Sequence, residues 1–435
     1  MNSSQRVVLS LLVVSILAGI VTGSPFYYRL AYLWAFLLVG SWGFSKLALR
    51  DVEVQRMPRS LRSQVGQVFE ERFEVRNFSR LPRLWIEVRD ESTLPGLRGS
   101  QVLSFIGGGE TRSYLVRTRL MERGVFPLGP TVYASGDPFG LFPISRELTA
   151  QESLLVYPMI VEVRSFPSPS GWLSGGEALR RRTHQITANA SGVREYEPGD
   201  PMNRIHWLST ARRNRTMVKE FELDPLAEVW IFVDAARYAH AALPFEPPAL
   251  DGRDLWRPNV KISLRPSTEE YSVSVAASLA RYYLQRGRSV GLVSAGHNLD
   301  LLPSDRGGRQ LGKILESLAL LRAEGKLPLQ GLVESEAQNL PRGSTVILVT
   351  PAVGDGTVIA VAQLLRRGMR PVAVRIAAAS FGGSSGIDRV GANLGALNIP
   401  VRKIACGDDL AAALSAGAPA TGMNGPQQKV STGVA

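Results

Sequence analysis

The sequence of 435 residues predicts three parts: a two-helix membrane hairpin, a small β-sandwich, and an α/β domain with a parallel sheet covered by helices on both faces. Three observations carry this. Two uncharged apolar runs, Val7–Thr22 and Leu30–Phe44, lie near the start. Short β-rich runs separated by Gly, Pro and Asn turns occupy residues 51–158. From Ala227 onward, unbroken apolar runs alternate with segments whose apolar residues recur at helical spacing. A chain this long exceeds one compact core, so several folded units are expected.

The hairpin comes first, over residues 1–48. Each apolar run is slightly short of the roughly 20 residues that a spanning helix needs, but Phe26, Tyr27, Tyr28 and Trp42 extend them into the interface. The break from Gly23 to Arg29 reads as a polar-aromatic turn. Lys46, Arg50, Arg56, Arg59 and Arg62 follow the second run, against Arg29 alone in the break. The positive-inside rule then puts both chain ends in the cytoplasm, with the hairpin in the cell (inner) membrane. The competing reading is a signal peptide cleaved before Ser24, which still leaves the second run as a span.

Over residues 50–158 the strand-like runs include Val52–Val54, Phe69–Val75, Leu84–Val88, Ser113–Arg117 and Leu154–Tyr157. Turns at Asn77-Phe-Ser79, Leu94-Pro-Gly96, Gly107-Gly-Gly109, Gly129-Pro130 and Gly136-Asp-Pro138 separate them. Short strands at this spacing argue for a small antiparallel sandwich or barrel. Residues 159–191 read as a Pro/Ser/Gly-rich linker with the basic run Arg180-Arg-Arg182, either a solvated loop or a docking patch for an acidic partner or for lipid headgroups.

The α/β pattern then runs to residue 414. Strands are expected at Val229–Val233, Val290–Val293, Thr345–Val349, Pro371–Ile376 and Ile399–Ile404. Helices are expected at Glu269–Arg286, Arg309–Leu321, Val358–Arg367 and Asp408–Leu414. Apolar strands without polar alternation belong to a sheet buried on both faces. A Pro-rich loop spans residues 241–266, Asp305-Arg-Gly-Gly308 reads as a turn before a helix, and residues 415–435 read as a disordered tail.

The most distinctive stretch is Gly192-Val-Arg-Glu-Tyr-Glu-Pro-Gly-Asp200 with Arg204-Ile-His-Trp207, Ala211-Arg212 and Val218-Lys-Glu-Phe221. With Arg123-Gly-Val-Phe126 and Gly136-Asp-Pro-Phe-Gly-Leu-Phe142 before it, it resembles the bacterial domain of unknown function 58 family. That family is often associated with MoxR-type AAA+ ATPases, and the resemblance covers nearly the whole chain. It implies a von Willebrand factor A-like (Rossmann-like) fold for the C-terminal part, and a MoxR-type ATPase as partner in assembling or maturing other proteins.

Von Willebrand A-type domains often hold a divalent cation on an Asp-x-Ser-x-Ser loop after the first strand, with a Thr and an Asp from later loops. Hard oxygen ligands suit a Mg-like ion. Here the loop reads Asp234-Ala235-Ala236-Arg237-Tyr238, so both hydroxyl positions are lost at Ala236 and Tyr238. The third strand ends at Thr350-Pro351 where an aspartate is expected, and Arg237 would repel a cation. The reading is a degenerate ion loop, with a cation-dependent binding module built on Asp234 as the alternative.

Within the signature, Gly192, Arg194, Glu195, Tyr196, Gly199, Asp200, Arg204, Trp207, Ala211 and Arg212 are the candidate interaction residues. Reciprocal ion pairs between Glu195, Glu197, Asp200 and Arg194, Arg204 are available around the Pro198-Gly199 turn. Ile205 and Trp207 are expected to face the core, with His206 pointing away. A rigid buckle is the favoured role, a partner-recognition surface the second, and a catalytic role for Glu195, Glu197, Asp200 or His206 the weakest.

Other signals exclude classes. The net charge of +12 suits an anionic lipid surface, a nucleic acid or an acidic partner, but no nucleic-acid motif accompanies it, so no specific nucleic acid is expected. One cysteine, Cys406, rules out an internal disulfide framework. His184, His240 and His297 lack ligand spacing. No Gly-Lys-Ser/Thr triplet supports a phosphate loop at Gly382–Gly386, and no His follows that Gly-x-Ser-x-Gly, against a hydrolase elbow. The expectation is a membrane-anchored, non-enzymatic cytoplasmic interaction protein with no cofactor.

Overall fold

The computed structural model describes residues 3–96, 100–149, 152–166, 190–197, 202, 205–221, 228–246, 263–385 and 387–415. The chain divides into two units. The first comprises Met1–Met159, Pro244–Arg265 and Leu315–Leu320, and the second Ile160–Leu243, Pro266–Ile314 and Leu321–Ala435. The basic run at 180–182, the centre of the Pro-rich loop and the tail beyond 415 lie outside the described residues.

The first unit opens with helices α1 (Ser3–Thr22) and α2 (Pro25–Ala48), both long and apolar enough to cross a membrane. The turn between them is shorter than the sequence suggests. Pro25 starts α2, a position where its fixed φ suits the helix and its missing N–H costs nothing, so Phe26–Arg29 become helical. Small residues are buried where the helices approach: Ser15, Gly19 and Ala31. A Cβ on Gly19 would stand 3.2 Å from the Tyr28 ring. Large apolar side chains such as Val21, Phe36 and Val39 point outward, as on helices that face lipid.

Ten strands follow: β1 (Val52–Pro58), β2 (Arg62–Gln64), β3 (Val68–Asn77), β4 (Arg83–Asp90), β5 (Ser100–Ile106), β6 (Thr111–Arg119), β7 (Gly124–Pro127), β8 (Thr131–Ser135), β9 (Ile144–Leu148) and β10 (Ser153–Tyr157). The sheets β1-β3-β6 and β5-β4-β8-β9 are antiparallel. Val52, Val54, Phe73 and Val75 of one pack with Ile86, Val88 and Ile106 of the other, which makes a sandwich. A smaller mixed sheet, β2-β10-β7, closes over Val65, Phe69, Leu120, Leu154 and Val156.

Period-2 burial along β3 carries Glu71 inward between Phe69 and Phe73. Arg56 meets it: Nε lies 2.7 Å from Glu71, and Nη2 lies 2.6 Å from Asp90, with all three side chains buried. Arg56, counted in the sequence as part of the basic membrane flank, is thus a core residue of the sandwich. Burial pushes the Glu71 carboxyl up against the downward pull of Arg56.

The second unit begins with residues 160–166 lying along helix α4. The Val161 amide donates to Ser278 Oγ and the Phe166 amide to the Tyr282 hydroxyl. Then come β11 (Ala190–Glu195), α3 (Trp207–Arg213), β12 (Met217–Phe221), β13 (Val229–Val233), α4 (Thr268–Gln285), β14 (Val290–Ala295), β15 (Leu299–Asp305), α5 (Gln310–Leu320, of which Leu315–Leu320 is counted with the first unit), α6 (Leu329–Glu336), β16 (Thr345–Thr350), α7 (Gly356–Arg366), β17 (Arg370–Ile376), α8 (Ile387–Ala396), β18 (Val401–Ile404) and α9 (Leu410–Ser415).

Six strands form one sheet in the order β15-β14-β13-β16-β17-β18. The expected parallel sheet is instead mixed: β15 runs antiparallel to β14, and the other pairs are parallel. The sequence hid β15 because Pro303 and alternating exposure mark an edge strand, where a missing N–H is tolerated. Trp230 and Phe232 face a core shared with α6, α7 and α8. Ile231, Leu292, Ile347 and Val349 are equally buried and lie outside that core, on the face that α4 covers. The strand order reverses between β13 and β16, and in doubly wound sheets the crevice at such a switch point is the usual binding site.

Candidate functional site

The signature folds as a small module. Strand β11 pairs antiparallel with β12 from Ala190↔Phe221 to Glu195↔Met217, and the intervening chain carries α3. Backbone bonds continue the pairing: the Tyr196 amide donates to Thr216 O at 2.9 Å, and the His206 amide to Met217 O at 2.8 Å. Ile205, Met217 and Val218 are buried beneath it. His206 does not simply point away. It is half-buried and caps α3, with Nδ1 accepting from the Ser209 amide at 3.2 Å and 2.8 Å from Ser209 Oγ. The Met217 amide donates to Thr210 Oγ1 at 3.0 Å, and Asn214 ends the helix in the left-handed region at φ 51°. A seven-residue helix with little apolar periodicity stays upright because its cap and Thr210 tie it to β12.

Trp207 corrects the sequence reading. It was expected in the core beside Ile205, yet it is 70% exposed, with Leu208 at 59% and Met202 at 72%. The core side is taken by Ile205, two residues earlier, which bridges to Val218. Ala211, Arg212, Arg213 and Arg215 are exposed as well. An ion pair joins Glu195 to Arg215 at 2.8 Å on the surface, a partner outside the predicted set. Gly192 and Arg194 lie in β11, and Tyr196 follows it, half-buried. Gly199, Asp200 and Arg204, with the Pro198-Gly199 turn, lie outside the described residues.

The second candidate, the ion loop, lies at the C-terminal end of β13. Asp234 is buried, and both its oxygens are occupied. Oδ2 accepts from Thr350 Oγ1 at 2.6 Å and Oδ1 from the Ala236 amide at 3.1 Å. Burial pushes this carboxyl up, opposed by Thr350, Ala236 and His240. His240 Nε2 faces the Asp234 carbonyl at 2.8 Å, so that nitrogen carries the proton, and Nδ1 faces Thr268 Oγ1 at 3.0 Å. Gly325 locks the loop from the far side: its amide donates to Ala235 O, and the Arg237 amide donates to Gly325 O. A Cβ on Gly325 would overlap the Ala295 carbonyl. Ala236 offers no oxygen ligand, and Tyr238 is exposed, with burial and Asp234 pushing its phenol up. These residues do not fit a bound divalent cation. Thr350, which stands where an aspartate was expected, supplies the hydroxyl that satisfies Asp234 instead. No group of three or more His, Cys, Asp or Glu suited to a metal occurs among the described residues.

Comparison with known proteins bears on this region. Residues 192–241, which contain both the signature and the Asp234 loop, match the family model described as "Protein of unknown function DUF58". The chain is 24% identical over 206 residues to "Uncharacterized protein YeaD" of Bacillus subtilis (strain 168), a match covering 46% of this chain and 44% of that protein. The chain thus spans less than half the length of this relative. Among solved structures, the CARDB domain of a Pyrococcus furiosus protein in complex with di-metal ions aligns at TM-score 0.19 and 14% identity, over 24% of this chain and 92% of that one. A Paenibacillus cycloisomaltooligosaccharide glucanotransferase complexed with cycloisomaltoheptaose aligns at TM-score 0.16 and 11% identity, over 82% and 53%. Scores this low carry no argument about this chain. The chain is thus similar to the DUF58 family over residues 192–241, a segment that opens with the signature.

Proposed function

We propose that this is a membrane-anchored, non-enzymatic interaction protein whose signature module is a docking surface for a protein partner. One observation carries the reading: Trp207 and Leu208 are both exposed on a module whose backbone is pinned by β11–β12 pairing and the His206 cap. A large aromatic held on a tied-down element loses little entropy on binding, and tryptophan and arginine are the residues that dominate interface energetics. Arg212 and Arg213 beside it favour an acidic rim on the partner. The buckle role alone would not require Trp207 in solvent.

The partner in this reading is a MoxR-type AAA+ ATPase, acting in assembly or maturation of other proteins. The α/β unit is read as von Willebrand factor A-like, supported by its switch-point sheet with an antiparallel edge strand and by the DUF58 match over 192–241. The apolar hairpin crosses the cell membrane with the β-sandwich and the α/β sheet on the cytoplasmic side, as the basic flank argues. In this reading binding does not use a cation at Asp234, which is supported by the hydrogen bonds from Thr350 and Ala236 to its oxygens.

The test is co-purification of the full chain with the ATPase from detergent-solubilised membranes. Trp207→Ala with Leu208→Ala should reduce recovery at least tenfold while the melting temperature is kept, because both side chains are exposed. Unchanged recovery would remove the signature as the docking surface.

A further inference from the structure

We infer that the end of the β-sandwich beside the hairpin is itself a membrane-binding face, fitted to a bilayer surface rich in anionic phospholipid. The inference rests on the reading that the hairpin spans the bilayer. From Pro25 to Ser45 the helix makes twenty steps, about 30 Å at about 1.5 Å per residue, which is about one hydrocarbon thickness. Ser45 therefore marks the hydrocarbon boundary on the side opposite the Gly23-Ser24 turn. At that level the sandwich is bonded to both helices: Ser45 Oγ donates to Phe142 O and Gln5 Nε2 to Leu141 O, each at 2.6 Å.

The loop that accepts these bonds is shaped for the position. Buried Asp137 accepts from the Phe139 amide at 3.0 Å and the Phe142 amide at 2.6 Å, which curls residues 137–142 and leaves Phe139 64% exposed. The β3–β4 loop reaches the same end. Arg83 Nη2 donates to Arg50 O at 2.7 Å, and the Phe78 amide donates to Asp51 O, directly after α2. Asn77 fixes that loop, its Nδ2 donating to Leu81 O and Gly107 O. Here Phe78 is 51% and Leu81 57% exposed.

Aromatic and aliphatic side chains exposed at headgroup depth match an interface, and the charges around them match an anionic one. Lys46, Arg76 and Arg80 are exposed, and Arg76 stacks 4.4 Å over the Phe78 ring. Two of the acids at this end are paired within the protein. Asp51 pairs with Arg50, and Glu110 is held by the Gly107 amide and Arg112. Phe78, Leu81 and Phe139 thus form a second anchor, continuous with the hairpin, that sets the height of the sandwich on the membrane.

The full chain is used, in a Cys406→Ser background, with single cysteines introduced by Phe78→Cys, Phe139→Cys, Gln67→Cys or Ser24→Cys and labelled with a fluorophore. Gln67 lies at the opposite end of the sandwich, between β2 and β3. In vesicles of phosphatidylcholine with phosphatidylglycerol and a shallow spin-labelled lipid, labels at 78 and 139 should be quenched at least twofold more than the label at 67. In pure phosphatidylcholine the difference should shrink, and Arg76→Glu with Arg80→Glu should shrink it likewise. Equal quenching at 67, 78 and 139, with the Ser24 position reachable only from the far side, would overturn this proposal and leave the spanning hairpin standing. A Ser24 position reachable from the same side as Gln67 would overturn both.

Discussion

At the scale of single residues, Asp234 has the most to explain: a carboxyl in a hydrophobic strand end, without a basic partner at its oxygens. Its neighbours treat it as a structural acceptor. Thr350 and Ala236 would each be left with a buried, unsatisfied group by Asp234→Ala, at about 1–3 kcal/mol apiece. Asp234→Asn keeps an acceptor and removes the buried charge, so it should be far milder. The pH dependence separates the two. Burial raises the folded-state pKa above the ordinary 3.8, so between these values the folded chain binds more protons than the unfolded one. Stability from this site is therefore present at low pH and falls as pH rises through that window. Melting curves from pH 4 upward should show this decline in the parent chain and a flatter profile in Asp234→Asn. The same occupied oxygens predict no shift in melting temperature with millimolar Mg²⁺ or Mn²⁺. A shift that Asp234→Ala abolishes would restore a cation-binding role. Sequence could show that Ala236 and Tyr238 stand where a von Willebrand A-type ion loop would carry hydroxyls. It could not show that Thr350 had turned its own hydroxyl onto the aspartate, because that contact joins residues 116 positions apart.

At the scale of elements, the buried cluster of Arg56, Glu71 and Asp90 ties three strand regions of the sandwich at β1, β3 and β4. Removing only its cation should be severe. Arg56→Met leaves two acids buried without a counter-charge, at about 3–5 kcal/mol, measurable as a shift in denaturation midpoint in detergent. The exposed pair of Arg59 with Glu70 is the control, and Arg59→Ala should move the midpoint little. This cluster also shows where pattern reading fails. Arg56 sits in a run of arginines that reads as a solvated flank, and only the register of β1 against β3, which sets Arg56 opposite Phe73 and next to Glu71, turns it inward. Strands and helices with strong periodicity, such as β13, β16 and α4, were legible to within a residue or two at their ends. Elements whose own sequence is ambiguous were not. Helix α8, with its Gly-Ala-Asn composition, is held by Val390 and Leu394 against α7 and β18. Helix α3 is short, and its stability comes from the His206 cap. His206→Ala should cost about 1 kcal/mol locally and loosen Trp207, weakening partner recovery without touching the contact itself.

At the scale of the whole molecule, the sequence order of apolar hairpin, turn-rich strands and apolar α/β segments was enough to foresee the architecture, because each part has its own hydrophobic period. The direction of the edge strand β15 and the outward turn of Trp207 were not foreseeable, since both follow from pairing partners distant in sequence. The second unit also has a built-in gradient of stability. Its six-stranded sheet has β13, β16 and β17 buried on both faces, whereas β11 and β12 form a two-stranded sheet of their own. An isolated pair of strands is marginal by itself, so the signature module should open far more often than the central sheet. Hydrogen exchange on the full chain in detergent should then be slow at Ile231, Phe232, Ile347 and Val374, and faster by orders of magnitude at Val193, Arg194, Met217 and Val218. If the module is the docking surface, added partner must suppress its opening. Amides of 193–196 and 216–218 would gain protection on complex formation while the central strands stay unchanged. Protection appearing only elsewhere, with the signature amides still fast, would place the partner on another surface and return the signature to the role of a buckle.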